Sequence, residues 1–276
     1  MDAWRVRRFV TYGAITKMPV VETRVAGLEG LLAETLNVSR QLPEGRFLWF
    51  RGHSSEHHQL LPGLLRQGRA ADEVFEREKR LLTRFRQRSL PFWPAGYPQN
   101  DWEHLFAMQH HGVPTRLLDW SENLFVAAHF ALNGTQLIGD QPTMWCLDPI
   151  QWNRSMPVLT EYGEAIHVLT TSDEESEPYR PEVTRRRNRS PVTLFGTHHS
   201  GRIVAQRGTF MVWGEDTRSL EAIANEGPGQ LWKFPIDGDA AQLRSELNML
   251  GFVESMVYPE LTSLAAELAR VEGWRA

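Results

Sequence analysis

Twelve consecutive residues, Gln109-His110-His111-Gly112-Val113-Pro114-Thr115-Arg116-Leu117-Leu118-Asp119-Trp120, carry the densest chemistry in the chain. They set an amide, two imidazoles, a hydroxyl, a guanidinium and a carboxylate around a Gly/Pro turn. Such groups stay together away from water only if each finds a partner. The block is therefore either a polar site or a turn braced by an Arg116–Asp119 salt bridge. The residue types leave both readings open.

Other candidates are weaker. His53-Ser54-Ser55-Glu56-His57 fits H-x-x-E-H, which binds zinc only when a helix brings both imidazoles onto one face. Here the segment follows an apolar run and Gly52 and leads into Pro62-Gly63, so a helix is not expected. The pairs His57-His58, His110-His111 and His198-His199 have no carboxylate at ligand spacing, and no metal is expected. The run Arg185-Arg186-Arg187-Asn188-Arg189 suits phosphate contacts, but Glu174, Glu175 and Glu177 balance it, and it reads as a solvated loop. Phosphate-loop, dinucleotide-fold and nucleophile-elbow motifs are absent. Cys146, the single cysteine, lies in an apolar strand-like run and reads as a packed core residue.

Composition narrows the class. The 276 residues carry a formal net charge of −4 and are 41% hydrophobic, enough chain for a core without disulfide support. One cysteine cannot form an intrachain disulfide, which points to a reducing, cytoplasmic setting. No apolar run reaches the ~18 residues of a membrane span, and the first ten residues are too charged for a signal peptide, so a soluble, unprocessed chain is expected. Lys17, Lys79 and Lys233 are the only lysines, so nearly all positive charge is guanidinium. That suits phosphate ligands, although genomic base composition produces the same bias.

These groups must be positioned by regular elements. Leu28, Leu31, Leu32 and Leu36 predict a helix over Val25–Gln41, followed by a short buried strand, Phe47–Phe50, that ends at Arg51. Asp72–Arg88 is an amphipathic helix with a charged solvent face. A helix from Asp101 stops at Gly112 and Pro114, and Thr115–Trp120 is extended. Ser121 is expected to cap an apolar helix over Glu122–Asn133. Short β-like runs follow at Met144–Leu147, Ala165–Leu169, Val192–Phe195, Ile203–Ala205, Thr209–Trp213 and Leu231–Ile236, then helices over Asp239–Leu250 and Pro259–Val271. Ser172–Ser190 offers almost nothing to bury and is expected to be a mobile charged loop. No repeat or linker divides the chain, so one α+β domain is expected, with N-terminal helices and a mixed, mostly antiparallel sheet.

The chain resembles the FRG domain family, whose Phe-Arg-Gly motif stands here as Phe50-Arg51-Gly52. The resemblance runs through Leu61–Arg66, the Gln109–Trp120 block, Ala127–Leu132, Arg202–Phe210 and Leu250–Leu261, about residues 25–268. A looser resemblance in layout is to the ADP-ribosyltransferase superfamily and its split sheet. It implies Arg51, with Gly52 and His53, at the anchor for NAD, and Gln109, His110, Thr115, Arg116 and Ser121 around the nucleotide. It further implies Gln206, before the strand Thr209–Trp213, near the ribose, with catalysis by Arg51, Asp119 and Gln206. Where the superfamily places Glu, Gln206 carries no charge, so Asp119 would have to face the cationic centre.

Three functional readings follow. One is an enzyme that splits the nicotinamide bond of NAD and modifies a nucleic acid or protein, in the setting of a bacterial toxin or phage-defence effector restrained by an antitoxin. Another is a nucleotide or nucleic-acid binding module without turnover. The third is a metal-dependent hydrolase built on the histidines. None involves a membrane.

Overall fold

The computed structural model describes residues 20–274 except 94–95, 135–139, 184–188, 197–199 and 228, and of residue 161 the backbone alone. In chain order the elements are β1 (Val21–Glu22), β2 (Val25–Ala26), α1 (Gly27–Gln41), β3 (Trp49–His53), α2 (Ala71–Ser89), α3 (Asp101–His110), β4 (Leu117–Ser121), α4 (Leu124–Asn133) and β5 (Thr143–Leu147). There follow α5 (Pro149–Ser155), β6 (Val192–Leu194), α6 (Gly201–Ala205), β7 (Gly208–Val212), α7 (Leu220–Glu226), β8 (Trp232–Asp237), α8 (Ala240–Met249), α9 (Glu254–Val257) and α10 (Leu261–Val271).

The strands form one mixed sheet in the order β1-β8-β5-β3-β4-β7-β6, with β2 continuing the β1 edge on β8. Among the pairings of these strands, those of β1 and β2 with β8 are parallel and the others antiparallel, which makes the protein α+β as expected. Successive strand residues face opposite sides, and the two faces bury separate cores. Phe50, Met144, Cys146 and Phe234 pack under α1, α4 and α8. Trp49, Trp145 and Leu147 join the larger core on the other face, with Trp102, Leu105 and Phe106 of α3.

Capping fixes where the site-bearing helices begin. Asn100 accepts from the Glu103 N–H (3.0 Å) at the start of α3, and Glu103 accepts in turn from the Gln99 N–H (2.6 Å). The helix ends at Gly112, whose φ of +76° suits a residue without a Cβ. Asn123, not Ser121, caps α4, accepting from the N–H groups of Phe125 (2.9 Å) and Val126 (3.3 Å). Ser121 is still a strand residue.

Two expected strands are different elements. Ile203–Ala205 lies in the helix α6, started by Ser200, whose hydroxyl accepts from the Ile203 N–H (3.3 Å). In Ala165–Leu169, residue 165 ends a 3₁₀ segment, and only Leu169 pairs, as a bridge to Leu194. The acidic half of Ser172–Ser190 buries more than its composition suggests: Glu174–Tyr179 is a 3₁₀ helix with Ser176 and Tyr179 buried. Residues 185–188 of the arginine run and the pair His198-His199 lie outside the described residues.

Candidate functional site

The sheet opens between β3 and β4. Each strand is paired along its length with its outer neighbour, β3 with β5 and β4 with β7, yet the two meet each other at the single position Phe50–Ser121. Beyond it lies a cleft of about 610 Å³, within the size range of small-molecule sites. Arg51, His53, Asp119 and Ser121 line it from the two strands, Phe106, Gln109 and His110 from α3, and Arg202 and Gln206 from the far side.

Arg51 spans the opening. Its Nη1 donates to the Asp119 carbonyl (2.6 Å), replacing the ladder bond that the divergence removes, and its Nε donates to His53 Nε2 (3.1 Å). His53 Nδ1 meets the His58 carbonyl at 3.1 Å. These two contacts define a neutral imidazole with its proton on Nδ1. Burial, and then the Arg51 charge, hold His53 well below the usual histidine pKa. Burial also lowers Arg51 to about 10, opposed by Asp119 and reinforced by Arg66, so the guanidinium remains charged. His53 thus orients Arg51, with neither ring nitrogen left for a ligand.

The Asp119 carboxylate is aimed by a chain of bonds from its own block. The Leu117 N–H donates to Thr115 Oγ1 (3.1 Å), the Thr115 hydroxyl donates to Gln109 Oε1, and Gln109 Nε2 donates to Asp119 Oδ2 (2.7 Å). The carboxylate can only accept, so the Gln109 NH₂ faces it and Oε1 faces Thr115, whose hydroxyl accepts from the Leu117 N–H and gives its own proton to that oxygen. Thr115 itself is fully buried and acts behind the cleft rather than in it.

The remaining expected residues divide by what holds them. Ser121 donates to the Gln206 carbonyl (2.7 Å) and accepts from the Asn123 N–H (2.9 Å), tying the end of β4 to the end of α6. Gln206 lines the cleft, but its Nε2 donates to the Val257 carbonyl (3.2 Å). His110 is depressed by burial, then by His111 and Arg202. Gly52 has a packing reason to be glycine: a Cβ there would lie 1.9 Å from the Ala127 carbonyl oxygen and 2.7 Å from the Ala131 nitrogen, so α4 could not seat on β3.

Arg116 is not a cleft residue and does not pair with Asp119. Only 1% exposed, it bonds Glu78 from Nε (2.8 Å), the Tyr179 carbonyl from Nη2 (2.8 Å) and the Trp213 carbonyl from Nη1, and lies 4.6 Å over the Phe75 ring. Its expected part in nucleotide binding gives way to cross-linking α2, the 3₁₀ segment and the end of β7. Conversely, Arg66, Arg202, Phe130 and Phe210 line the cleft and were not expected there. All four sit inside stretches whose sequence already stood out, but their types alone did not mark them.

Three arginines, Arg51, Arg66 and Arg202, therefore line the cleft with one carboxylate, Asp119, among aromatic and aliphatic surface; Arg66 donates from Nε to the Leu61 carbonyl (3.1 Å), and the Arg202 guanidinium lies 4.6 Å over the Tyr258 ring. Such a lining has the charge and surface to attract an anionic, partly apolar ligand. Among the described residues no group of three or more His, Cys, Asp or Glu could hold a metal ion. The H-x-x-E-H segment is a strand end and turn rather than a helix.

The site thus belongs to an α+β protein with a cation-lined cleft where its mixed sheet parts. Residues 46–137, about a third of the chain, match the FRG domain, which supports the family resemblance over that segment. The matched span contains Arg51, Arg66, Gln109 and Asp119, while Arg202 and Gln206 lie beyond it. No curated protein and no solved structure matches the chain. Among the described residues no helix is long and apolar enough to cross a membrane.

Proposed function

We propose that the cleft binds NAD and that the protein is an ADP-ribosyltransferase-like enzyme. The observation that carries this reading is the convergence of Arg51 and Asp119 from the two strands that part, bound to each other through the Asp119 carbonyl. Arg51, Arg66 and Arg202 supply the charge for a pyrophosphate. Asp119, held by Gln109, supplies the negative charge for the ribose as its bond to nicotinamide breaks and C1′ becomes cationic. Nicotinamide leaves with the bonding electrons, and the ADP-ribosyl group passes to a nucleophile on a nucleic acid or protein, or to water. A toxin or phage-defence effector with a restraining partner is a setting in which such chemistry fits.

A second reading, a nucleotide-binding module without turnover, is favoured by Gln206, which is uncharged and has its amide committed to Val257. One experiment separates the two. Purified protein is incubated with NAD, released nicotinamide is measured by chromatography, and NAD binding is measured by calorimetry. Arg51→Ala is expected to lose both binding and release. Asp119→Asn keeps an acceptor for Gln109 but loses the charge, and is expected to bind NAD while releasing at least 100-fold less nicotinamide, a loss of about 2.7 kcal/mol of transition-state stabilisation. Binding without release by the wild type selects the module. Absence of NAD binding removes both readings for this ligand.

A further inference from the structure

The second half of α2 is strongly basic. Arg86 is paired with Asp101 and Glu182, but Arg80, Arg84 and Arg88 are exposed and have no carboxylate partner among the described residues. They recur every four residues, about 6 Å apart along one side of the helix. This face is not isolated from the cleft.

Arg84 and Arg88 border a groove of about 550 Å³ walled by Leu81, Phe85, Phe92, Trp93, His111 and Val113. Phe92 is 80% exposed, an unusual position for a phenylalanine in a chain with two well-filled cores. Phe85, Tyr97 and His111 all meet the half-buried Trp93 at 78–89°, and among the described residues no ring is stacked parallel on the indole. A second groove, of about 360 Å³, shares Trp93 and His111 with the first and shares Phe106, His110 and Ile203 with the cleft. Unpaired guanidinium groups, the exposed Phe92, the half-buried Trp93 and the cleft thus follow one another along a depression built of adjoining grooves that share walls.

We propose that this depression docks a single-stranded nucleic acid, with phosphates on Arg80, Arg84 and Arg88, bases against Phe92 and Trp93, and the strand continuing past His111 and His110 to the cleft. Cations set the track of a phosphate backbone, while aromatic faces take unpaired bases whatever their identity. An acidic polypeptide would use the cations but give the aromatic rings no matching partner, and a duplex keeps its base faces stacked. The inference that this strand is the acceptor rests on the ADP-ribosyl transfer proposed above; the docking itself does not.

The test is fluorescence polarisation of the full chain with labelled oligonucleotides of ~12 nucleotides, within the span of known single-strand sites. Probes are single-stranded DNA, single-stranded RNA and the corresponding duplex. Wild type should bind a single strand at least tenfold more tightly than the duplex. Arg80→Ala/Arg84→Ala/Arg88→Ala should weaken binding at least tenfold and flatten the slope of log K against log salt by about 2, as loss of three phosphate contacts requires. Phe92→Ala should weaken binding about tenfold with the salt slope unchanged. Equal affinity for the duplex, displacement by polyglutamate as effective as by unlabelled oligonucleotide, or an unaltered triple variant would overturn the proposal. Nicotinamide release without an acceptor is measured on the same triple variant and should equal that of wild type. Oligonucleotide binding with no NAD turnover in any protein would leave the docking surface standing and remove the transferase reading.

Discussion

Arg116→Met tests whether the guanidinium of the central block serves structure rather than a ligand. Glu78, the acid it neutralises, is 0% exposed, and the guanidinium also satisfies the buried carbonyls of Tyr179 and Trp213. Methionine preserves much of the volume but leaves a buried carboxylate without its counterion and two carbonyls without a donor. Breaking one side of a buried pair costs about 3–5 kcal/mol. At roughly 2–4 °C per kcal/mol for a chain of this size, the melting temperature should fall by roughly 10 °C. Arg69→Ala, which breaks the exposed i,i+4 pair with Glu73, is the control and should cost under about 1 kcal/mol. Urea unfolding followed by tryptophan fluorescence gives both values. The double variant Glu78→Leu/Arg116→Met should be less destabilised than the sum of its singles by more than about 1 kcal/mol, the coupling expected of a direct pair. The orphaned carbonyls keep it below wild type. A loss under about 1 kcal/mol for Arg116→Met, or lost NAD binding with unaltered stability, would refute the assignment.

Gly52→Ala should destabilise by about 3 kcal/mol or more, because the new methyl meets the backbone of α4 rather than a movable side chain; a urea midpoint within error of wild type would contradict the close approach of helix and strand. His53 makes stability depend on pH. Its folded pKa is depressed, so below the usual value near 6.5 the unfolded chain takes a proton that the folded one refuses. Stability is full above that pH and declines as pH falls, and since His104, His110 and His129 shift the same way, His53→Asn should remove only part of the decline between pH 7.5 and 5.5. Melting temperatures across that range check it, and identical profiles for wild type and variant would exclude a neutral His53.

Most of the frame was legible because its signals are local. Asp101–His110 carries a capping pattern and ends at a glycine, and the apolar run around Phe50 lies between glycines, so both elements emerged within a few residues of their ends. Gln109 and Asp119 stood out by type in the central block, Arg51 and Gln206 were implied by the family and superfamily resemblances, and the fold brings all four to one cleft. What sequence reading missed is long-range. Arg116 looked like a site residue because Glu78, Tyr179 and Trp213, which claim it, lie 38, 63 and 97 positions away. Ile203–Ala205 is too short for periodicity to separate strand from helix, and the Ser200 cap decided it. Tyr179 was hidden in a run of charge, although its hydroxyl reaches the Ser190 carbonyl at 2.7 Å.

Among the described residues, the parting of β3 from β4 leaves the cleft's two walls joined by the Arg51 bond to the Asp119 carbonyl and the Phe50–Ser121 pair. Any occupant that touches both walls adds a cross-link where the ladder has none, and it does so only in the folded chain. By linkage, such a compound at 100 times its dissociation constant raises unfolding free energy by about 2.7 kcal/mol, whatever chemistry follows. The melting temperature is therefore a detector of the physiological ligand that requires no assumption about turnover, and a panel of nucleotides ranked by thermal shift would order them by how well each bridges the two halves of the sheet.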